Sequence, residues 1–149
     1  MAVSSPATGV APERRPAALE RLVKIEAAGM AFAVTDSMQN GYAPELRGDI
    51  ARFERYRARW LGNDPASYAT IWRMLAGLDM QDELAGLGCP VLVIGGAFDR
   101  VRPPALAQIT ARTIPGARYV ELPSGHYMAV QTPDLFADCI DQFLTSVGA

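Results

Sequence analysis

The sequence has 149 residues, with 14 lysines and arginines, 16 aspartates and glutamates, and a net charge of −2. A chain of this length is usually one domain, and it can bury roughly 70% of the surface that its unfolded form exposes. The weak net charge excludes the strong field that draws a protein to nucleic acid or to an anionic membrane. We therefore expect small molecules or proteins as partners.

The amino terminus and the cysteines bear on the cellular compartment. Residues 1–6 lack the basic region and apolar core of a signal peptide, and no run reaches the roughly 18 apolar residues of a membrane span. Cys89 and Cys139 have the spacing of neither a disulfide framework nor a metal site, and we interpret both as reduced core residues. The sequence predicts a soluble, cytoplasmic protein.

The first half of the chain is predominantly helical in pattern. Residues 1–5 are typical of the end of a buried strand, and a helical pattern then begins at Pro16. Residues 30–41 are apolar without clear caps, so their helical length is open, and another helix is expected to start at Pro44. We therefore expect helices over most of the residues from about 14–78.

The clearest amphipathic helix of this region begins at Asp64. Asp64 is a favourable capping residue, and Pro65 is favourable in a first helical turn. The expected apolar stripe consists of Tyr68, Ile71, Trp72 and Leu75. Their spacing of i, i+3, i+4 and i+7 places them on one face.

Two strands and two helices are expected in the second half. Residues 91–94 form a short apolar run between Pro90 and the pair Gly95 and Gly96, as in a strand buried on both faces. The further expected elements are a helix at about 104–113, a turn at 115–116, a strand at about 117–122 and a helix capped by Thr132 and Pro133.

Together, these patterns predict an α/β fold with parallel strands and flanking helices. The chain is expected to be a single domain. Its strand and helix core would comprise residues of about 1–6 and 89–147.

Asp99 and His126 are the candidate functional residues. Asp99 lies just past the carboxyl end of one expected strand, where open α/β sheets bind their ligands. The segment that follows is long enough for one helix and one strand, so His126, the only histidine, falls at the same edge. Asp134 and Glu121 are alternative acids, but the former suits a first helical turn and the latter lies within a strand.

Three glycines near these residues are given conformational roles. The pair Gly95 and Gly96 is expected to let the backbone turn sharply at the end of its strand. Gly125, directly before His126, is expected to permit an unusual backbone conformation.

An acid after one strand and a histidine after the next is the second half of a Ser, Asp, His triad in α/β-hydrolase order. Residues 89–104, CPVLVIGGAFDRVRPP, and 115–144, PGARYVELPSGHYMAVQTPDLFADCIDQFL, resemble the carboxyl-terminal portion of an α/β-hydrolase-fold enzyme. Residues 26–30, EAAGM, and 64–96, DPASYATIWRMLAGLDMQDELAGLGCPVLVIGG, are similar to 3-oxoadipate enol-lactonases and related ester, lactone and C–C bond hydrolases. This resemblance covers most of the chain but only about half of such an enzyme. It implies a partial α/β-hydrolase fold with about three parallel strands, flanking helices and a helical cap formed by the residues from about 14–78.

The resemblance implies hydrolysis of a small-molecule ester or lactone without a metal or organic cofactor. In that reaction Asp99 would orient and stabilise His126, and His126 would act as general base and then general acid. Met30, Phe32, Met38, Trp72 and Met74 could line a substrate pocket beneath the cap or, alternatively, belong to the core.

A nucleophile is not recognisable in the sequence. None of the serines lies in the Gly-x-Ser-x-Gly elbow that exposes a nucleophile between strand and helix. These serines are Ser4, Ser5, Ser37, Ser67, Ser124 and Ser146. The resemblance places the nucleophile and the oxyanion-binding segment upstream of Met1, so we expect this chain to be inactive without a nucleophile-bearing amino-terminal half.

Two further expectations follow from this. The unpaired edge of the first strand could bind such a half or lead to self-association. Alternatively, the chain is a non-catalytic binding or interaction module, or a truncated gene product.

Overall fold

The computed structural model describes residues 2–3 and 9–148. Residue 1 and residues 4–6 of the first expected strand and its end lie outside the described residues, and these include Ser4 and Ser5. Among the described residues, no helix has both the length and the apolar character needed to cross a membrane.

The described strands form a parallel sheet in the order β1, β2, β3. These strands are β1 (Ala2–Val3), β2 (Leu92–Gly96) and β3 (Arg118–Leu122). In the register, Leu92 lies opposite both Ala2 and Arg118. All five residues of β2 are buried, which accounts for its unbroken apolar run, because a central parallel strand is covered on both faces. The parallel α/β class is thus confirmed.

Helices pack on both faces of this sheet, and those between residues 15 and 76 pack on one another and form a separate helical layer. They are α1 (Arg15–Ala28), α2 (Met30–Gly41), α3 (Ile50–Leu61), α4 (Pro65–Ala76), α5 (Gln81–Ala85), α6 (Pro104–Thr113), α7 (Met128–Gln131) and α8 (Pro133–Ser146). Single turns of 3₁₀ helix occur at Pro12–Arg14 and Pro44–Leu46. The open question about residues 30–41 is settled by α2, a continuous helix.

Alternate residues of β2 pack against different helices. Val93 faces a cluster that includes Ala111 of α6, whereas Ile94 faces a cluster that includes Phe143 of α8. Successive side chains of a strand point to opposite faces of the sheet, so β2 supports both layers. This arrangement fixes the carboxyl end of β2, where Asp99 follows.

The helix expected to start at Pro44 is divided into two elements. A 3₁₀ turn ends at Leu46, and α3 begins only at Ile50. Asp49 precedes α3, and its carboxylate accepts a hydrogen bond of 2.8 Å from the Arg52 N–H. Because this cap satisfies a free N–H of the first turn, it starts a new helix instead of extending the one from Pro44.

The start of α4 is as expected, but part of its expected apolar stripe is wrong. The Asp64 carboxylate accepts a hydrogen bond of 2.7 Å from the Ser67 N–H. Ile71, however, is 56% exposed, whereas Ala69 is fully buried in the cluster that joins α4 to α1. The face of α4 that contacts α1 is centred on small alanines, because α1 packs closely there. Periodicity alone does not specify where α1 lies.

The prediction for the cysteines is wrong for Cys89, which is exposed; Cys139 is partly buried. Cys89 precedes β2, and burial begins only at Val91, where the chain enters the sheet.

Candidate active site

The loop after β2 carries Asp99 at the carboxyl edge of the sheet. The Ala97 N–H donates to the carbonyl of Leu122 at 2.8 Å, and the Phe98 N–H donates to the carbonyl of Ser124 at 2.9 Å. Leu122 is the last residue of β3, and Ser124 lies in the loop that follows it. These hydrogen bonds join the Asp99 loop to the His126 loop, so the two side chains approach each other from neighbouring strands.

The Asp99 carboxylate is held by three partners. Its Oδ1 accepts hydrogen bonds from the N–H groups of Val101, at 2.9 Å, and Arg102, at 2.7 Å. Its Oδ2 lies 3.0 Å from Nδ1 of His126. The Asp99 side chain is only 2% exposed, so backbone donors replace its lost hydration and leave one oxygen free for the imidazole.

His126 is held from two sides through its backbone. Its N–H donates to the carbonyl of Gly41, at the end of α2, over 3.2 Å. The next N–H, that of Tyr127, donates to Oε1 of Gln131 over 2.9 Å. With Nδ1 directed at a carboxylate, the imidazole is the Nδ1–H tautomer when neutral, and Nε2 is the nitrogen available to accept a proton.

The glycines at the end of β2 and before His126 are required for close approach and not for an unusual backbone angle. The described glycines with positive φ do not include Gly95, Gly96 or Gly125, so the expected conformational roles are wrong. A Cβ on Gly96 would lie 2.6 Å from the carbonyl oxygen of Ser124. A Cβ on Gly125 would lie 2.6 Å from Oε1 of Gln131.

Thr132 precedes α8 as expected, but its hydroxyl does not cap the helix. It donates instead to Oγ of Ser124 over 2.7 Å. Ser124 is fully buried, and its carbonyl accepts the N–H of Phe98 from the Asp99 loop. This serine therefore ties together the two loops and the start of α8.

A cavity of about 260 Å³ lies beside His126. Three aromatic side chains of the helical layer, Trp60, Tyr68 and Trp72, form part of its lining. Another part is polar and includes Arg21 and Asp36, which form an ion pair of 3.1 Å. The cavity can thus accommodate a small molecule with apolar and polar portions next to the imidazole.

Of the residues expected to line a pocket, Trp72 contributes to this cavity. Met30 and Met38 are buried in clusters of the helical layer, and Phe32 and Met74 are 47% and 61% exposed. The lining given by the described residues includes none of these four. Their role in substrate binding stays a prediction.

Tyr127 is a lining residue that the sequence analysis did not identify. Its ring centroid lies 5.2 Å from that of His126, and burial raises the pKa of its phenol above the ordinary value. Burial likewise raises the pKa of Tyr68. Both phenols are therefore protonated at neutral pH. The position of Tyr127 directly after His126 was the signal available in the sequence.

The alternative acids lie elsewhere. Asp134 is in the first turn of α8, and a carboxylate of Glu121 on β3 accepts a hydrogen bond of 3.0 Å from the Tyr119 hydroxyl. Ser37 lines the cavity, yet within residues 9–148 no serine is hydrogen-bonded to His126.

The fold closely matches solved structures of hydrolytic enzymes. An esterase from Thermogutta terrifontis superposes with a TM-score of 0.85 at 26% identity; the match covers 96% of this chain and 54% of the esterase. An enol-lactonase from Burkholderia xenovorans gives 0.84 at 28% identity, with 94% and 53% covered. This chain has the carboxyl-terminal part of the α/β-hydrolase fold.

Sequence comparison agrees over a shorter range. A pyrrolizixenacetamide deacetylase from Xenorhabdus hominickii is 33% identical to this α/β-hydrolase segment over 69 residues, 46% of the segment and 26% of the deacetylase. No family model matches the sequence. The segment spans about half the length of the solved structures that it matches.

Proposed function

We propose that this chain carries the acid and the general base of a serine-type hydrolase that acts on a carboxylic ester or an enol-lactone. The observation that supports this most directly is the 3.0 Å contact between Asp99 Oδ2 and His126 Nδ1, beside a cavity of the size of a small molecule. The names of the matched structures, an esterase and an enol-lactonase, favour the same substrate classes.

The chemistry assigned to the pair is proton transfer. Nε2 of His126 accepts the proton of the nucleophile hydroxyl while that oxygen bonds to the acyl carbon of the substrate. Asp99 stabilises the imidazolium that forms, and the imidazolium then donates its proton to the leaving oxygen as the C–O bond breaks. Water repeats the sequence on the acyl-enzyme and releases the acid. No metal or organic cofactor is part of this proposal.

The nucleophile is assigned to polypeptide outside these 149 residues. No serine of the sequence lies in Gly-x-Ser-x-Gly, and the buried hydroxyl of Ser124 is engaged with Thr132. We therefore expect the chain alone to be inactive. In the complete hydrolase, residues of about 14–78 would form the cap, and residues of about 1–6 and 89–147 would belong to the core, in a cytoplasmic protein.

A chimera tests this assignment. The half of the Burkholderia xenovorans enol-lactonase that this chain does not match would be joined ahead of Met1, and hydrolysis of p-nitrophenyl acetate would be measured. We expect turnover by the chimera, about 10⁴-fold loss with Asp99→Asn, and loss with His126→Ala, because the imidazole then lacks its orienting carboxylate or is absent. The 149-residue chain alone should give no turnover above the His126→Ala variant.

Two results would contradict the proposal. Turnover by the 149-residue chain that both substitutions abolish would place a nucleophile within it. A folded chimera without turnover would favour the alternative of a non-catalytic binding or interaction module, which is motivated by the absence of the serine elbow from this sequence.

A further inference from the structure

Gln131 stands out among the buried polar side chains near the proposed general base. It is 4% exposed, and its Oε1 accepts the N–H of Tyr127 over 2.9 Å. In return, the Gln131 N–H donates to the carbonyl of Tyr127 over 2.9 Å. The two residues are therefore linked reciprocally, and the residue at one end of this link directly follows His126.

The surroundings of Gln131 are shaped to fit its amide. The absence of a side chain at Gly125 leaves room for it, since a Cβ there would lie 2.6 Å from Oε1 and 2.7 Å from Nε2. The backbone carbonyl of Gln131 also accepts a hydrogen bond of 3.4 Å from the side chain of Arg52 on α3. Its Nε2 is buried and has no hydrogen-bond partner among the described residues. A buried amide that leaves one donor unsatisfied is costly, so a purely packing role would be served better by an apolar side chain.

We infer that Gln131 is a positioning residue for His126. By holding the Tyr127 N–H, it fixes the backbone that carries the imidazole and keeps Nδ1 directed at Asp99. The imidazole then remains the Nδ1–H tautomer, with Nε2 free to accept a proton. This inference rests on the proposed function of His126 as general base, but its test reads the imidazole itself and needs no turnover.

The single histidine makes a direct measurement practical. The chain, labelled with ¹⁵N-histidine, would be studied by two-bond ¹H–¹⁵N correlation NMR on the neutral imidazole, which reports the ratio of its two tautomers. Gln131→Met retains the length of the side chain but removes the acceptor. We expect this variant to lower the ratio of Nδ1–H to Nε2–H tautomer by about fivefold, the factor that corresponds to the typical net contribution of one hydrogen bond.

Two variants provide matched controls. Gln131→Glu keeps an oxygen that can accept the Tyr127 N–H, and should retain the tautomer ratio of the unmodified chain. Gln142→Met makes the same substitution at an exposed glutamine of α8 and should leave the ratio unchanged. If Gln131→Met does not give a cooperative melting transition, Gly125→Ala is used instead, because its Cβ displaces the Gln131 amide and should lower the ratio in the same way.

A folded Gln131→Met or Gly125→Ala variant with an unchanged tautomer ratio would overturn the positioning role. Failure of the proposed function gives a different result. In that case the unmodified chain itself would lack a preference for the Nδ1–H tautomer, and Asp99→Asn would not alter the ratio.

Discussion

The N–H of His126 donates a hydrogen bond of 3.2 Å to the carbonyl of Gly41, the last residue of α2. The helical layer therefore contacts the edge of the sheet at His126, in the loop after β3. Gly41 also lies against the side chain of Tyr127, since a Cβ on Gly41 would be 2.6 Å from the Tyr127 ring. The position of the imidazole thus depends on how closely α2 approaches this loop.

Gly41→Ala should weaken this junction. The added methyl group would displace the Tyr127 ring or α2, and overpacking of this kind costs about 1–3 kcal/mol in unfolding free energy. The measurement is urea unfolding followed by circular dichroism. Gly48→Ala is the matched control, because a Cβ on Gly48 meets nothing within 4 Å, and it should not destabilise the chain. Equal stability of the two variants would contradict the close contact.

The hydrogen bond between Thr132 and Ser124 should stabilise the junction between the two loops and α8. Ser124→Ala removes the acceptor of the Thr132 hydroxyl, and we expect it to cost about 1 kcal/mol of unfolding free energy. A double-mutant cycle with Thr132→Val measures whether the two side chains interact. If the two single effects simply add, the hydroxyls do not form the 2.7 Å hydrogen bond in solution.

Local patterns in the sequence were sufficient for the strands and for the pair of candidate residues. The apolar run before Gly95 predicted a buried strand, and its position predicted that Asp99 and His126 share one edge of the sheet. The structure confirms the strands, and it brings the two side chains to 3.0 Å. These features depend on the spacing of residues along the chain, which can be read directly from the sequence.

The errors concern which side chains come into contact in the folded chain. The glycine before His126 was given a conformational role, whereas its lack of a side chain makes room for Gln131. Ile71 was placed on the inner face of α4, but the close approach of α1 selects Ala69 instead. Periodicity identifies a face without specifying which helix packs against it, so these details could not be derived from one sequence.

Phe143 should be a major contributor to the stability of the core beneath α8. It is 3% exposed and packs with Leu92 and Ile94 of the central strand. Phe143→Ala leaves a cavity there and should lower the unfolding free energy by about 3–5 kcal/mol. Leu144→Ala provides the control on the same helix, since Leu144 is 39% exposed. A comparable loss in both variants would mean that α8 does not pack on the sheet through Phe143.

Asp64 should contribute to stability in a pH-dependent manner. The Ser67 N–H that caps its carboxylate lowers the pKa of Asp64 below the ordinary value for an aspartate. A lowered pKa in the folded state means that the ionised group stabilises the fold above the pKa of the unfolded chain. This contribution is lost as the pH falls through the lowered pKa. Asp64→Ala should therefore have a lower Tm than the unmodified chain at neutral pH, and the difference should shrink on acidification.

The control for this prediction is Asp82→Ala, which removes a negative charge from the first turn of α5 at a residue whose side chain is not the N-cap. Thermal melts of the three proteins would be compared at neutral pH and at successively lower pH values. Because Asp64 accepts an N–H and Asp82 has no such bond among the described contacts, only the Asp64 variant should show a clear loss of Tm that disappears in acid. A Tm difference for Asp64→Ala that stays constant down to low pH would show that the carboxylate charge does not contribute through the cap.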